Sequence, residues 1–311
     1  MNQPRIAVLI PCYNESVAIG QVIQDFRRAL PDAPIYVYDN NSTDNTIAVA
    51  QAAGALIRTE TLQGKGHVIR RMFADIDADY YVLVDGDATY EAAAAPRLLA
   101  LAQSQGLDMV NAARVTDQSS AYRRGHVTGN RALTGIVTHI FGRRLTDMLS
   151  GYRVFSKRFV KSFPALSSGF ETETELTVHA LELCMPIGEL PTRYSERPPG
   201  STSKLRTYRD GFRILKTILT LVKQERPILF FSTLGFSLSL LSVALGAPVI
   251  MTYLKTGLVP RLPTALLSTG LMTLSALSFT CGLILDSVTL ARKEQKRMIY
   301  LSYAPPPHNI M

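Results

Sequence analysis

The sequence has no tryptophan, five histidines and three cysteines in 311 residues. Cys12, Cys184 and Cys281 stand far apart and form no metal-ligand pair, so neither a disulfide scaffold nor a zinc module is encoded, and a reducing compartment fits best. Charge is also scarce: 19% of residues are charged and 47% are hydrophobic, which excludes a tail-like disordered chain and leans toward membrane content. The glycine patterns of two common nucleotide-binding loops are missing. Gly64-Lys65-Gly66 lacks the hydroxyl residue and the preceding glycine of a P-loop, and the turn Pro11-Cys-Tyr-Asn-Glu15 has none of the glycines of a dinucleotide fingerprint. No cleaved signal is read at the N-terminus, because the apolar run there is short and has no basic leader.

What the chain does have is positive charge, +8 net with a pI near 9.4, which calls for an anionic partner. Its location decides which. Residues 228–253 and 262–285 hold no charged side chain, and about 20 helical residues cross a bilayer core, so a two-helix membrane hairpin is expected. Arg206, Arg209, Arg213, Lys216, Lys223 and Arg226 precede it, Arg292, Lys293, Lys296 and Arg297 follow it, and the connecting loop carries only Lys255 and Arg261. The positive-inside rule then puts the N-terminal domain and the C-terminal tail in the cytoplasm, making this a multi-pass membrane protein with no nucleic-acid partner. Between 207 and 226, Phe212, Leu215, Ile218, Leu219 and Val222 recur at helical spacing among the basic residues. Two readings remain open for that segment, an interfacial helix along the bilayer or an amphipathic helix packed on the globular domain.

The first two hundred residues alternate strand and helix: strands at 5–10, 35–38, 55–58 and 80–84, helices at 17–30, 44–53 and 67–76. Apolar strands separated by helices specify an α/β domain with a largely parallel sheet, which binds ligands at the carboxyl ends of its strands. Polar residues cluster there. Asn14 and Glu15 follow the first strand, Asp39 and Asn40 the second, and Asp85 and Asp87 the fourth. Two carboxylates on one Asp85-Gly-Asp87 turn suit a hard divalent cation, Mg²⁺ or Mn²⁺, which would neutralise a departing nucleoside diphosphate.

With Pro11-Cys-Tyr-Asn-Glu15, Asp39-Asn-Asn-Ser-Thr-Asp44 and Asp85-Gly-Asp87 in this order, the sequence resembles family 2 glycosyltransferases of the GT-A fold. It is similar in particular to the polyprenyl-phosphate sugar synthases such as dolichyl-phosphate mannosyltransferase. The resemblance covers residues 6–219 and includes Asp-Met-Leu-Ser-Gly-Tyr-Arg at 147–153, Phe170-Glu-Thr-Glu-Thr-Glu175 and Arg-Pro-Pro-Gly-Ser-Thr-Ser-Lys-Leu at 197–205. It implies a UDP- or GDP-linked sugar donor. Pro11, Tyr13, Asn14, Glu15, Asp39, Asn40 and Lys65 would lie on the nucleotide side, Asp85 and Asp87 at the donor and metal, and Arg197 and Lys204 at a phosphate. The chain departs from the family at Asn40, where a second aspartate is frequent, and at Thr89, where the dolichyl-phosphate enzymes often have glutamine.

A lipid monophosphate, with a second pKa of about 6, is already ionised at neutral pH and needs cationic help more than a general base. Arg114, Arg123, Arg124 and Arg131 precede an expected helix at 132–141, and Arg124 and Arg131 are the preferred pair for that phosphate. Asp147, or one of Glu171, Glu173 and Glu175, would position the sugar or act as base, the glutamates alternatively serving the N-terminal dipole of a helix. The expected organisation is a catalytic domain at 1–205, an amphipathic helix at 206–226, a hairpin at 227–291 and a tail at 292–311. The expected activity is inverting transfer from a nucleotide sugar to a polyprenyl phosphate, undecaprenyl or dolichyl. Transfer to a glycan or lipid hydroxyl, and a non-catalytic membrane adaptor, are the alternatives. The processive Q-x-x-R-W motif is excluded by the missing tryptophan. A homo-oligomer is allowed but not called for.

Overall fold

The computed structural model describes residues 4–115, 134–135, 145–169, 171–201 and 207–306. These fall into two compact units, Met1–Thr217 with Lys296–Met311, and Ile218–Gln295. In the first, β1 (Ile6–Cys12), α1 (Ile19–Ala29), β2 (Ile35–Asp39), α2 (Thr46–Ala52), β3 (Leu56–Thr59), α3 (Lys65–Asp75) and β4 (Tyr80–Leu83) alternate as expected. A 3₁₀ turn (Ala92–Ala94), α4 (Ala95–Gln105), β5 (Met109–Val115), β6 (Arg153–Ser156), α5 (Lys157–Ser162), α6 (Thr172–Glu182) and β7 (Ile187–Arg193) complete it.

The seven strands form one sheet in the order β3-β2-β1-β4-β6-β5-β7. Pairings are parallel except that β6 runs antiparallel between β4 and β5. Successive residues of β1 face opposite sides of the sheet, so Val8 and Ile10 meet Ile19, Ile23 and Phe26 of α1. Leu9 joins the other layer, with Val68, Ile69, Met72 and Phe73 of α3. Each such fully buried side chain contributes roughly 1.5–3 kcal/mol, and burial on both faces is why these strands read as continuous apolar runs.

The first strand, expected at 5–10, runs further: β1 continues through Pro11 to Cys12, pairing with Tyr38 and Asp39. Cys12 O accepts Asn40 N–H on the β2 side, so the ring nitrogen of Pro11 faces the β4 side, where register pairing has already ended at Leu9 and Leu83. No ladder bond is lost there. The chain's C-terminal turn also belongs to this unit. The Tyr300 hydroxyl donates to buried Asp108 Oδ2 at 2.7 Å, Arg158 clamps the same carboxylate, and Lys296 pairs with Glu182 at 3.0 Å.

Beyond α7 (Thr207–Glu225) stand α8 (Pro227–Thr256) and α9 (Leu262–Leu301), two helices long and apolar enough to cross a membrane. They meet through small residues. Ser242 and Ser268 donate to each other's backbone carbonyls at 2.7 and 2.9 Å, and Ser275 Oγ reaches Gly235 O at 2.7 Å. A Cβ on Gly235 would lie 2.9 Å from the Phe279 ring, so the close approach requires glycine there.

Candidate active site

Three neighbouring strand ends build the site. After β1, Asn14 adopts a left-handed conformation (φ 52°), donates its N–H to Ser42 Oγ and accepts Thr43 N–H on its side-chain oxygen at 2.7 Å. Glu15 N–H donates to Thr46 Oγ1, and Asp44 accepts from Thr46 and from Ser16 N–H, so the loops after β1 and β2 are laced together. Burial would raise the Asp44 carboxyl, but these hydrogen bonds outweigh it and hold the pKa at about 2. Asp39, at the end of β2, is buried; Oδ2 accepts Ser42 N–H, while Oδ1 has no hydrogen-bond partner among the described residues. That oxygen is an open acceptor for a ligand N–H. Pro11 is half-buried and Tyr13 exposed beside it.

Asn40, expected on the nucleotide side, has its side chain bonded to the following loop. Its amide donates to Glu60 O and Leu62 O, both at 2.8 Å, and accepts Gly64 N–H at 2.7 Å. The side chain ties down the loop that carries Lys65. That loop needs its glycines: a Cβ on either Gly64 or Gly66 would fall 2.1 Å from a carbonyl of the 167–168 segment.

The close approach delivers Lys65, whose Nζ lies 2.5 Å from both Asp85 Oδ1 and Glu173 Oε1. Burial disfavours the ammonium, but the two carboxylates outweigh it and push its pKa up. Glu173 is raised by burial, against the pull of Lys65, and its Oε2 has no partner among the described residues. The other two glutamates of the cluster are local caps: Glu175 accepts Leu166 and Ser167 N–H, and Glu171 accepts Gly169 N–H.

Across the turn, the Asp85 side chain is 29% exposed and that of Asp87 only 7%. Asp87 Oδ1 accepts the hydroxyl and N–H of Thr89, and Oδ2 faces Arg197 Nη2 at 2.6 Å. Arg197 also reaches Glu15 Oε1 at 3.4 Å. Burial raises the Asp87 pKa, the negative charge of Asp85 raises it further, and Arg197 opposes them. Buried Cys12 registers the convergence from beneath: desolvation pushes its thiol well up, with Glu15, Asp39, Asp85 and Asp87 all adding to it.

The 147–153 motif frames the donor turn. Arg153, fully buried, donates to Ser150 O, Met148 O and Thr177 Oγ1 and so fixes the turn before β6. Gly151 is thereby set against Asp85; a Cβ there would lie 2.2 Å from Asp85 Oδ2. Asp147, expected to face the sugar or act as base, is instead gripped bidentately by Arg114 at 2.7 and 2.8 Å. That pairing also removes Arg114 from the free cations expected for an acceptor phosphate. Arg123, Arg124, Arg131 and Lys204 lie outside the described residues. Sequence reasoning named Lys65 but missed its partner in Glu173 and the roles of Arg153 and Gly151. The glycines flanking Lys65 and following Ser150 were the available signal of close backbone approach.

Among the described residues no group of three histidines, cysteines or acids could hold a metal. Asp85 and Asp87 offer two hard oxygen donors, and the upward push on buried Asp87 by its like-charged neighbour is the strain that a divalent cation relieves. The pair fits such an ion if ligand oxygens complete its shell.

Comparison with known proteins gives a family model, Glycosyl transferase family 2, that matches residues 7–163. Glycosyltransferase AglJ of Haloferax volcanii is 34% identical over 80% of this chain and 81% of its own length. A dolichyl-phosphate hexose transferase of the same organism is 27% identical over 71% of this chain and 95% of its own. Among solved structures, glucosyl-3-phosphoglycerate synthase from Mycobacterium tuberculosis, in complex with Mn²⁺, UDP-glucose and glycerol 3-phosphate, superposes with a TM-score of 0.55 at 23% identity. It covers 71% of this chain and 79% of that one.

Proposed function

The chain belongs to the family 2 glycosyl transferases, and from that premise we propose that it transfers a sugar from a UDP- or GDP-linked donor to the phosphate of a polyprenyl lipid, with inversion, at the cytoplasmic membrane face. The observation that carries this reading is the Asp85-Gly-Asp87 turn, with Asp85 partly exposed and Asp87 buried along with Glu15 and Asp39, in a chain that also has two membrane-length apolar helices. The relative named for dolichyl phosphate supports the acceptor class. The division into a catalytic domain at 1–205, an interfacial helix at 206–226, a hairpin at 227–291 and a cytoplasmic tail at 292–311 is part of the same proposal, with the flanking basic residues as its support.

In this reading the open Asp39 Oδ1 takes an N–H of the nucleobase. Asp85 and Asp87 would hold Mg²⁺ or Mn²⁺, which when bound would supply positive charge to neutralise a departing diphosphate. Lys65 and Glu173 fix Asp85 from the side opposite Gly151 and keep the donor turn in one geometry. Asp147 is a structural partner of Arg114, so deprotonation by a carboxylate at that position is not used; an acceptor already ionised needs none. Arg124, Arg131 and Lys204 are proposed for the phosphates.

The test is transfer by the purified full chain, in detergent, from a panel of UDP- and GDP-sugars to undecaprenyl or dolichyl phosphate. Asp87→Asn should lower kcat by about 10²–10³, the usual scale for loss of one preorganised electrostatic group. Transfer at the wild-type rate by this variant, or turnover only on free glycan hydroxyls, would overturn the reading.

A further inference from the structure

Resting on that reading, we infer that Arg197 is the resident counter-ion of the cation position, so that the site takes up a divalent cation and a nucleotide diphosphate together and holds either one poorly alone. Both aspartates of the turn already have a positive side chain against them. Lys65 is 2.5 Å from Asp85, and Arg197 is 2.6 Å from Asp87. The second Asp87 oxygen is taken by Thr89. A metal entering the free enzyme must therefore displace the guanidinium from Asp87 Oδ2.

The displaced group has little to gain without a ligand. It would remain next to the incoming cation, with Glu15 Oε1 at 3.4 Å and Ser201 Oγ at 3.5 Å among its partners, and neither is a bidentate anion placed for it. A diphosphate changes this, because it offers the guanidinium a bidentate anion in exchange for the carboxylate. The diphosphate alone is disfavoured in turn, since Glu15, Asp39, Asp85 and Asp87 converge on the same strand ends. Each ligand thus removes what opposes the other.

The lever is local. Ser195 N–H donates to the carbonyl of Thr89, the residue that holds Asp87, so the backbone carrying Arg197 is pinned two residues away. The side chain itself is 24% exposed and has a route outward. Pinned backbone with a movable tip makes Arg197 an exchange group, the residue that selects the metal–diphosphate pair over bare metal.

Linkage requires the coupling to be reciprocal, and such couplings typically run from about 5-fold to 150-fold. The experiment is Mn²⁺ binding by electron paramagnetic resonance on the full chain in detergent micelles, with and without UDP or GDP, for wild type, Arg197→Gln and Arg197→Lys. Wild type should bind Mn²⁺ at least about 10-fold more tightly with nucleotide. Arg197→Gln should bind Mn²⁺ several-fold more tightly than wild type without nucleotide, and its coupling should drop below about 3-fold. Arg197→Lys, which keeps the charge but cannot bridge Asp87 and Glu15, should fall between, and it carries the comparison if thermal melting shows the glutamine variant unfolded. If wild type binds Mn²⁺ with nucleotide and neither variant changes the nucleotide-free affinity, this inference fails and the metal reading stands. Absence of Mn²⁺ binding by wild type under both conditions overturns the metal reading and this inference with it.

Discussion

Gly151 has no side chain because Asp85 leaves no room for one. A Cβ 2.2 Å from Asp85 Oδ2 forces the carboxylate off its place between that backbone and Lys65. Displacements of about 1 Å at a reacting centre can lower a rate about 100-fold. Gly151→Ala is therefore expected to lower kcat at least about 10-fold while the melting temperature stays close to wild type, since the clash is relieved by moving one partly exposed side chain; parallel kinetics and thermal melts check both halves. A second residue-scale expectation concerns acid. Asp44, held at about 2 against an ordinary 3.8, adds stability that is complete above about pH 4 and is lost as pH falls toward 2. Melting temperatures measured from pH 5 down to pH 2.5 should fall less steeply for Asp44→Asn than for wild type. Because Asp44 is largely exposed, the difference should be modest.

At the scale of elements, β1, β2 and β4 were readable because strands buried on both faces are apolar throughout, and the helices between them because one face only is apolar. The same pattern located the strand ends after which Glu15, Asp39, Asp85 and Asp87 stand. The antiparallel β6 left no such trace: only Val154 and Phe155 in it are apolar, between buried Arg153 and Ser156, and its direction is set by pairing with β4 and β5. Lys65 and Glu173 are 108 residues apart and Arg114 and Asp147 are 33 apart, so their pairing follows from topology and not from spacing. The loop contacts of Asn40 were hidden for a related reason, since an amide after a strand reads alike whether it meets a ligand or a backbone loop. The hairpin gives the element-scale test. Ser242→Ala with Ser268→Ala removes paired hydroxyl–carbonyl bonds and should cost about 0.6 kcal/mol per bond, whereas Gly235→Leu collides with Phe279 and should loosen the helix pair outright. Limited proteolysis in detergent should show the serine variant close to wild type and the leucine variant cut between α8 and α9.

For the whole molecule, the proposed function requires a water-soluble donor and a membrane-bound acceptor to meet at one turn, and α7 offers a physical route to that meeting. Ile214, Ile218 and Val222 are buried, yet Phe212 is 70% exposed and Leu215 and Leu219 are exposed beside it, among exposed Arg213, Lys216 and Lys223. The sequence placed Phe212, Leu215, Ile218, Leu219 and Val222 on one helix with two open destinations. The structure divides them between a buried row and an uncovered row. An uncovered apolar row flanked by cations matches a bilayer surface, where the apolar side chains enter the interface and each cation gains about 1 kcal/mol near anionic lipid. On the proposed function the two long apolar helices anchor the chain independently of that row, so replacing Phe212, Leu215 and Leu219 with serine should leave the protein in the membrane fraction. What should change is presentation of the acceptor. In vesicles, KM for a long polyprenyl phosphate is expected to rise about 10-fold or more, the burial of even one such side chain being worth about 1.5–3 kcal/mol. With a short, water-soluble prenyl phosphate the triple variant and wild type should have equal kcat/KM, because that acceptor reaches the site without the bilayer. Equal KM values for the long acceptor in vesicles would assign the row to protein packing and remove α7 from the membrane surface.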